Sequence, residues 1–164
     1  DFQYGSRINT VFSTVDALEE YVASADLVIG AVLVPGGAAP KLVSRELVSR
    51  MNRGAVLVDV AIDQGGCFAT SKPTTLADPI FTVNGVVHYC VSNMPGAVAR
   101  TSTFALNNAT LPFVIALANK GYRKALIDDP HLRNGLNVYR GKLTHEAAAR
   151  DLGLTYSSAV DVLV

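Results

Sequence analysis

The sequence predicts an α/β fold in which a parallel sheet is followed by a helical tail. Three observations carry this. Residues 26–34 form an apolar run that is unbroken after Asp26, and residues 55–62 form a second one interrupted only by Asp59. Continuous β-branched runs of this length suit parallel strands covered on both faces. Stretches of helical spacing lie between the runs, and from about residue 100 the pattern turns helical throughout.

The elements follow in order. Residues 7–12 alternate, carry Ile8, Thr10, Val11 and Phe12, and read as a short strand. Ser13 or Thr14 then caps a helix with apolar positions at Val15, Leu18, Tyr21, Val22 and Ala25, and with Asp16, Glu19 and Glu20 early in the run. The run 26–34 is the next strand, broken by Pro35-Gly36-Gly37. A helix is expected over 44–51, ended by Asn52-Arg53-Gly54. Residues 55–62 form a strand that stops before Gly65-Gly66. A polar stretch with Pro73 and Pro79 leads to a further strand at 86–91. Residues 102–119 have a helical period despite Pro112, which should kink or break the helix. Shorter helices are expected at 122–127 and 144–152, and the apolar tail 160–164 should pack.

Composition sets bounds on function. The 164 residues are 49% hydrophobic and 17% charged, enough for a real core and unlike a disordered tail. Fourteen basic and fourteen acidic side chains cancel, so no field gathers nucleic acid or anionic lipid. Neither a nucleic-acid nor a membrane partner is expected. No secretory signal opens the chain, which points to a cytoplasmic protein with Cys67 and Cys90 reduced. The cysteines and histidines are scattered, and no metal site is expected. Asp1 is not a starting methionine, and residues 1–5 read like the tail of an earlier element, so a fragment is expected.

Ligands of open parallel sheets bind outside the carboxyl ends of the strands. Three turns qualify: 32–36, 60–66 and 91–96. The one ionisable group among them is Asp63. A carboxylate there can exchange protons or hold an amine. It can equally be a turn aspartate bonding its own backbone, and position alone favours that role. Asp59 interrupts a buried run and needs partners, which suggests structure. Asn93 is a hydrogen-bonding group or a turn former, and Met94 a slot liner or core. Ser13 could reach a ribose or cap a helix. Arg100 and Lys72 could meet phosphate, although surface solvation explains both. Gly-x-Gly-x-x-Gly and Gly-x-x-x-x-Gly-Lys-Ser/Thr are both absent from the sequence.

Longer strings say more. Asp26-Leu-Val-Ile-Gly-Ala-Val-Leu-Val-Pro-Gly36, Val58-Asp-Val-Ala-Ile-Asp-Gln-Gly-Gly-Cys-Phe68, His88-Tyr-Cys-Val-Ser-Asn-Met-Pro-Gly-Ala-Val98 and Arg100-Thr-Ser-Thr-Phe-Ala-Leu-Asn-Asn-Ala-Thr-Leu-Pro112 closely resemble alanine dehydrogenases. Proton-translocating transhydrogenases share the outline but lack an Ile-Asp-Gln-Gly-Gly-Cys-Phe string. The resemblance implies a partial Rossmann-type sheet: the second half of an NAD-binding domain at 1–95, then a helical segment at 96–164 returning to a catalytic domain. The glycine-rich turn and the substrate-holding arginine, lysine and histidine would lie upstream. The implied reaction is NAD-dependent oxidation of L-alanine to pyruvate and ammonia by a homo-oligomer, often a hexamer. Asp63 would be the catalytic carboxylate. Val32, Val60, Ala61, Ile62, Asp63, Val91, Ser92, Asn93 and Met94 would border NAD, with Ser13 near its adenosine end. Alternatives are a transhydrogenase nucleotide-binding component and a non-catalytic nucleotide-binding module.

Overall fold

The computed structural model describes residues 3–163. The chain forms two compact units. One contains the residues up to Leu33 and Ala39–Ser92; the other contains Val34–Ala38 and the residues from Asn93 onward.

The first unit begins differently from expectation. Residues 7–12 form no strand; a 3₁₀ turn at Gly5–Arg7 leads into irregular chain in which Val11 and Phe12 are exposed. Alternation marks a strand only where a ladder partner exists, and no described segment pairs here. Helix α1 (Val15–Ser24) follows, capped by Thr14, whose Oγ1 accepts from the Ala17 N–H at 3.2 Å, so Ser13 is not the cap. Strand β1 (Leu27–Gly30), helix α2 (Arg45–Arg50, capped by Ser44), strand β2 (Val56–Asp59), and strands β3 (Ile80–Val83) and β4 (Val86–Tyr89) complete the unit.

The strand order is β1-β2-β4-β3. β1, β2 and β4 are parallel, with Gly30 opposite Asp59 and Val58 opposite Tyr89. β3 pairs antiparallel with β4. The hairpin between them was hidden in the polar stretch. Its turn is Asn84-Gly85, with φ of 53° and 84°, a pair of positive angles that matches strand twist and favours these two residues. β1 and β2 are shorter than the apolar runs. After Asp59 the chain coils into a 3₁₀ helix, Val60–Gln64, and the pairing of β1 with β2 ends at Gly30 opposite Asp59.

Val22, Leu47, Val48, Leu57, Phe68 and Val86 form a core on one face. On the other face Leu27, Ile29 and Ile80 are exposed, and Val56 and Val58 are half-buried. β1 closes on Gly30, where a Cβ would lie 2.2 Å from Cys67 Sγ and 2.7 Å from the Phe68 ring.

Asp59 is fully buried, and its carboxylate organises the return of the chain. It accepts from Cys67 N–H at 2.9 Å, Phe68 N–H at 3.4 Å and Ser71 Oγ–H. Gly66, at φ +75°, passes so near that a Cβ would be 2.6 Å from Oδ2. Burial, with the neighbouring Asp59 charge, pushes the Cys67 thiol up to about 11, so it is no nucleophile.

His88, buried on β4, has Nδ1 3.0 Å from the Val86 carbonyl and Nε2 2.7 Å from Thr70 Oγ1. The carbonyl can only accept, so Nδ1 carries the proton and Thr70 donates to Nε2. The ring stacks on Phe81. Burial lowers its pKa from the ordinary histidine value. The unfolded chain therefore takes up this proton first. The contribution of neutral His88 to stability is whole above about pH 6.5 and is lost as pH falls through the depressed folded value. We expect the melting temperature to fall between about pH 7 and 5, and His88→Gln to flatten that slope. Equal slopes in the two proteins would exclude His88 as the group.

In the second unit a 3₁₀ turn, Met94–Val98, opens into helix α3 (Ala99–Lys120). Pro112 does not end it, and Gly121 does, at φ +74°. Helices α4 (Tyr122–Asp128) and α5 (Pro130–Arg133), the hairpin β5 (Val138–Tyr139) and β6 (Lys142–Leu143), and helices α6 (Glu146–Leu152) and α7 (Ala159–Leu163) follow. The apolar tail does pack: Leu163 is buried and α7 lies against α4. Residues 34–38 lie on α6, where Ala38 N–H donates to Asp151 Oδ2 at 2.8 Å. No helix among the described residues is long and apolar enough to cross a membrane, and none of their His, Cys, Asp and Glu side chains gather as a metal-holding group.

Candidate functional site

The ends of β1 and β2 make the site. These strands are parallel neighbours, so the residues following them emerge side by side. Ala31, Val32 and Leu33 leave β1, while Val60 and Ala61 start the 3₁₀ helix after β2. Together with Asp63 and Gln64 they line a depression of about 400 Å³. Its walls are apolar: Val32 is half-buried, and Val60 and Leu33 are exposed. Asp63 is the one ionisable residue of the lining, and it is exposed. Gly65, at φ +90°, ends the helix directly beyond it and returns its N–H to the Ile62 carbonyl at 3.0 Å.

Four of the expected site residues thus come together: Val32, Val60, Ala61 and Asp63. Ile62, in the same turn, points inward and is 3% exposed. Val91 is fully buried and bridges to Thr74, while exposed Ser92 donates its N–H to the Thr74 carbonyl at 3.2 Å. Ser13 lines a separate depression with Val11, Phe12 and Tyr21. Asn93 and Met94 belong to the second unit. Asn93 adopts the left-handed φ of 54° that asparagine tolerates, and it lines a depression with Ser102 and Leu106; Met94 is half-buried. Lys72 sits 4.5 Å from the Phe81 ring centre and the Arg100 guanidinium 5.8 Å from the Phe104 ring centre, so each has an aromatic face beside it. Leu33 and Gln64 were not singled out from sequence. The signal was adjacency, since each neighbours a chosen residue in the same turn.

A concave apolar surface with one polar edge, at the carboxyl ends of adjacent parallel strands, is where α/β sheets take ligands. The sheet and its site define the class: this is a Rossmann-type α/β domain. A family model described as alanine dehydrogenase/PNT, C-terminal domain, matches residues 1–146. The chain belongs to that family. It is 66% identical over 163 residues to an alanine dehydrogenase of Halomonas elongata, covering 99% of this chain and 44% of that protein. A solved L-alanine dehydrogenase superposes with a TM-score of 0.75 at 49% identity, over 99% of this chain and 43% of the other. A transhydrogenase from Sinorhizobium meliloti matches over 55% of this chain and 25% of its own, with a TM-score of 0.50 and 31% identity. The chain spans less than half the length of the alanine dehydrogenases it matches.

Proposed function

We propose that this chain supplies part of the active site of an NAD-dependent L-alanine dehydrogenase, which converts L-alanine to pyruvate and ammonia. The observation that carries the reading is Asp63 at the rim of an apolar depression between two parallel strand ends, in a chain 66% identical to an alanine dehydrogenase. The residues present fit the nicotinamide end of the cofactor. Val32, Val60 and Ala61 offer apolar walls for a flat ring, and Asp63 and Gln64 offer polar atoms at its edge. The fit does not extend to the diphosphate, since these 164 residues hold no Gly-x-Gly-x-x-Gly.

When bound, NAD supplies the hydride acceptor. Everything else asked of this chain is positioning and proton handling. The apolar walls exclude water from the ring's berth. Asp63 attracts the ammonium group of alanine and takes up a proton at its carboxylate as the amine is neutralised. Assembly as a homo-oligomer accords with the exposed apolar side chains of α3, among them Phe104, Leu106 and Val114.

The test is alanine-dependent NADH formation by the intact protein. We expect it to be readily measured, and expect none from residues 1–164 alone, which lack a phosphate turn. An intact, folded protein that forms no NADH from alanine, yet exchanges hydride between NAD(H) and NADP(H), would overturn the proposal in favour of transhydrogenase chemistry.

A further inference from the structure

We propose that Lys41 is a positioning residue that holds the Asp63 turn in place. This rests on the reading of Asp63 as the proton-transfer group. Lys41 Nζ donates to the Gly66 carbonyl at 2.8 Å and to the carbonyl of Gly65. These two carbonyls come directly after the 3₁₀ helix that carries Asp63. The last carbonyls of a helical turn have no partner within it, and a cation placed there also meets the negative end of the turn's dipole.

The rest of the segment acts in the same sense. Ala39 N–H donates to the Gln64 carbonyl at 2.9 Å, and Leu42 N–H to the Cys67 carbonyl at 2.8 Å. Residues 39–42 therefore grip every carbonyl from Gln64 to Cys67. Main chain holds the two outer ones, and the Lys41 ammonium holds the two inner ones. Those inner positions are consecutive glycines at φ +90° and +75°, the residues with the most conformational freedom to lose. Without the ammonium, the Gly65-Gly66 hinge keeps its N–H bonds to the Ile62 and Ala61 carbonyls and the main-chain bonds at its two ends, but its own carbonyls are released. Asp63, two residues before it, then samples a wider volume. Lys41 is not part of the lining of the depression, so it acts through the turn and not on the reacting atoms.

Displacing a reacting group by about 1 Å costs on the order of 100-fold in rate. In the intact protein we expect Lys41→Met to lower kcat for alanine oxidation by about 10- to 100-fold, with KM for NAD nearly unchanged. Lys41→Arg should recover most of the loss, because a guanidinium also reaches both carbonyls. In an Asp63→Ala background, Lys41→Met should cost nothing further. Hydrogen exchange at the amides of residues 65–67 reads the clamp without any activity and should quicken in Lys41→Met. Lys41→Gln serves the same readouts should the methionine variant not fold. Unchanged kcat and exchange would overturn the proposal, and so would a full Lys41→Met penalty in the absence of Asp63. If the unmutated protein forms no NADH from alanine, the functional reading fails instead, and exchange alone decides whether Lys41 holds the turn.

Discussion

Replacing Asp63 with alanine is expected to lower turnover about 100- to 10,000-fold, the range typical of a positioned acid–base group, while NAD binding stays close to that of the unmutated protein. The separation follows from the geometry. The ring's proposed berth is made by Val32, Leu33, Val60 and Ala61, apolar side chains that line the depression beside the exposed carboxylate. The turn is held from behind by Gly65 and Gly66 N–H groups bonded to the Ile62 and Ala61 carbonyls. Alanine at 63 thus removes a proton acceptor and leaves the walls standing. Single-turnover kinetics with alanine, set beside NAD titration by fluorescence, separates the two effects. Turnover within a few-fold of the unmutated protein would make Asp63 an ordinary turn aspartate.

The second large effect is structural. Asp59→Ala should destabilise the protein by at least about 3 kcal/mol, because hydrogen bonds to charged groups contribute roughly 1.5–3 kcal/mol each and buried donors left unmet add to the loss. Four donors lose their acceptor at once: the N–H groups of Cys67 and Phe68, the Cys67 thiol and the hydroxyl of Ser71. For a chain of this size the loss corresponds to a drop of roughly 6–12 °C in melting temperature. Asp59→Asn, which keeps one acceptor oxygen, should fall between the two. A melting point for Asp59→Ala within about 2 °C of the unmutated protein would contradict this account of Asp59.

Much of this was legible in the residues, for reasons that differ from place to place. The runs at 26–34 and 55–62 announced parallel strands because apolar, β-branched residues suit a sheet interior. They overstated strand length because hydrophobicity continues past the point where pairing stops: Val60, Ala61 and Ile62 are apolar but coil into a helix. Asp59 was readable as structural, since a carboxylate inside such a run needs partners, although nothing in the sequence named Cys67, Phe68 and Ser71 as those partners. The β3–β4 hairpin has its signal in Asn84-Gly85, but Pro73 and Pro79 give the stretch before it the composition of a loop. The strand expected at 7–12 failed because alternation shows only what a strand would need. The turns bearing Val32, Val60 and Asp63 were legible as strand ends, and the resemblance to alanine dehydrogenases implied that the three meet at one cofactor. The inward turn of Ile62 and the burial of Val91 were not legible, because a residue beyond the end of a strand no longer obeys a period of two. No role for Lys41 was legible in the sequence, as that role depends on a fold that brings residue 41 beside residue 66.

The uncovered face of the sheet bears on how these residues behave when handled by themselves. Leu27 and Ile29 lie on the outermost strand, and among the described residues no strand pairs with the far side of β1. A bare edge next to greasy side chains is a template on which another polypeptide can add a rung. Chains concentrated in isolation would stick to one another there, turning cloudy before they crystallise. Charge carried at the rim of that strand is the remedy natural sheets use against such pairing.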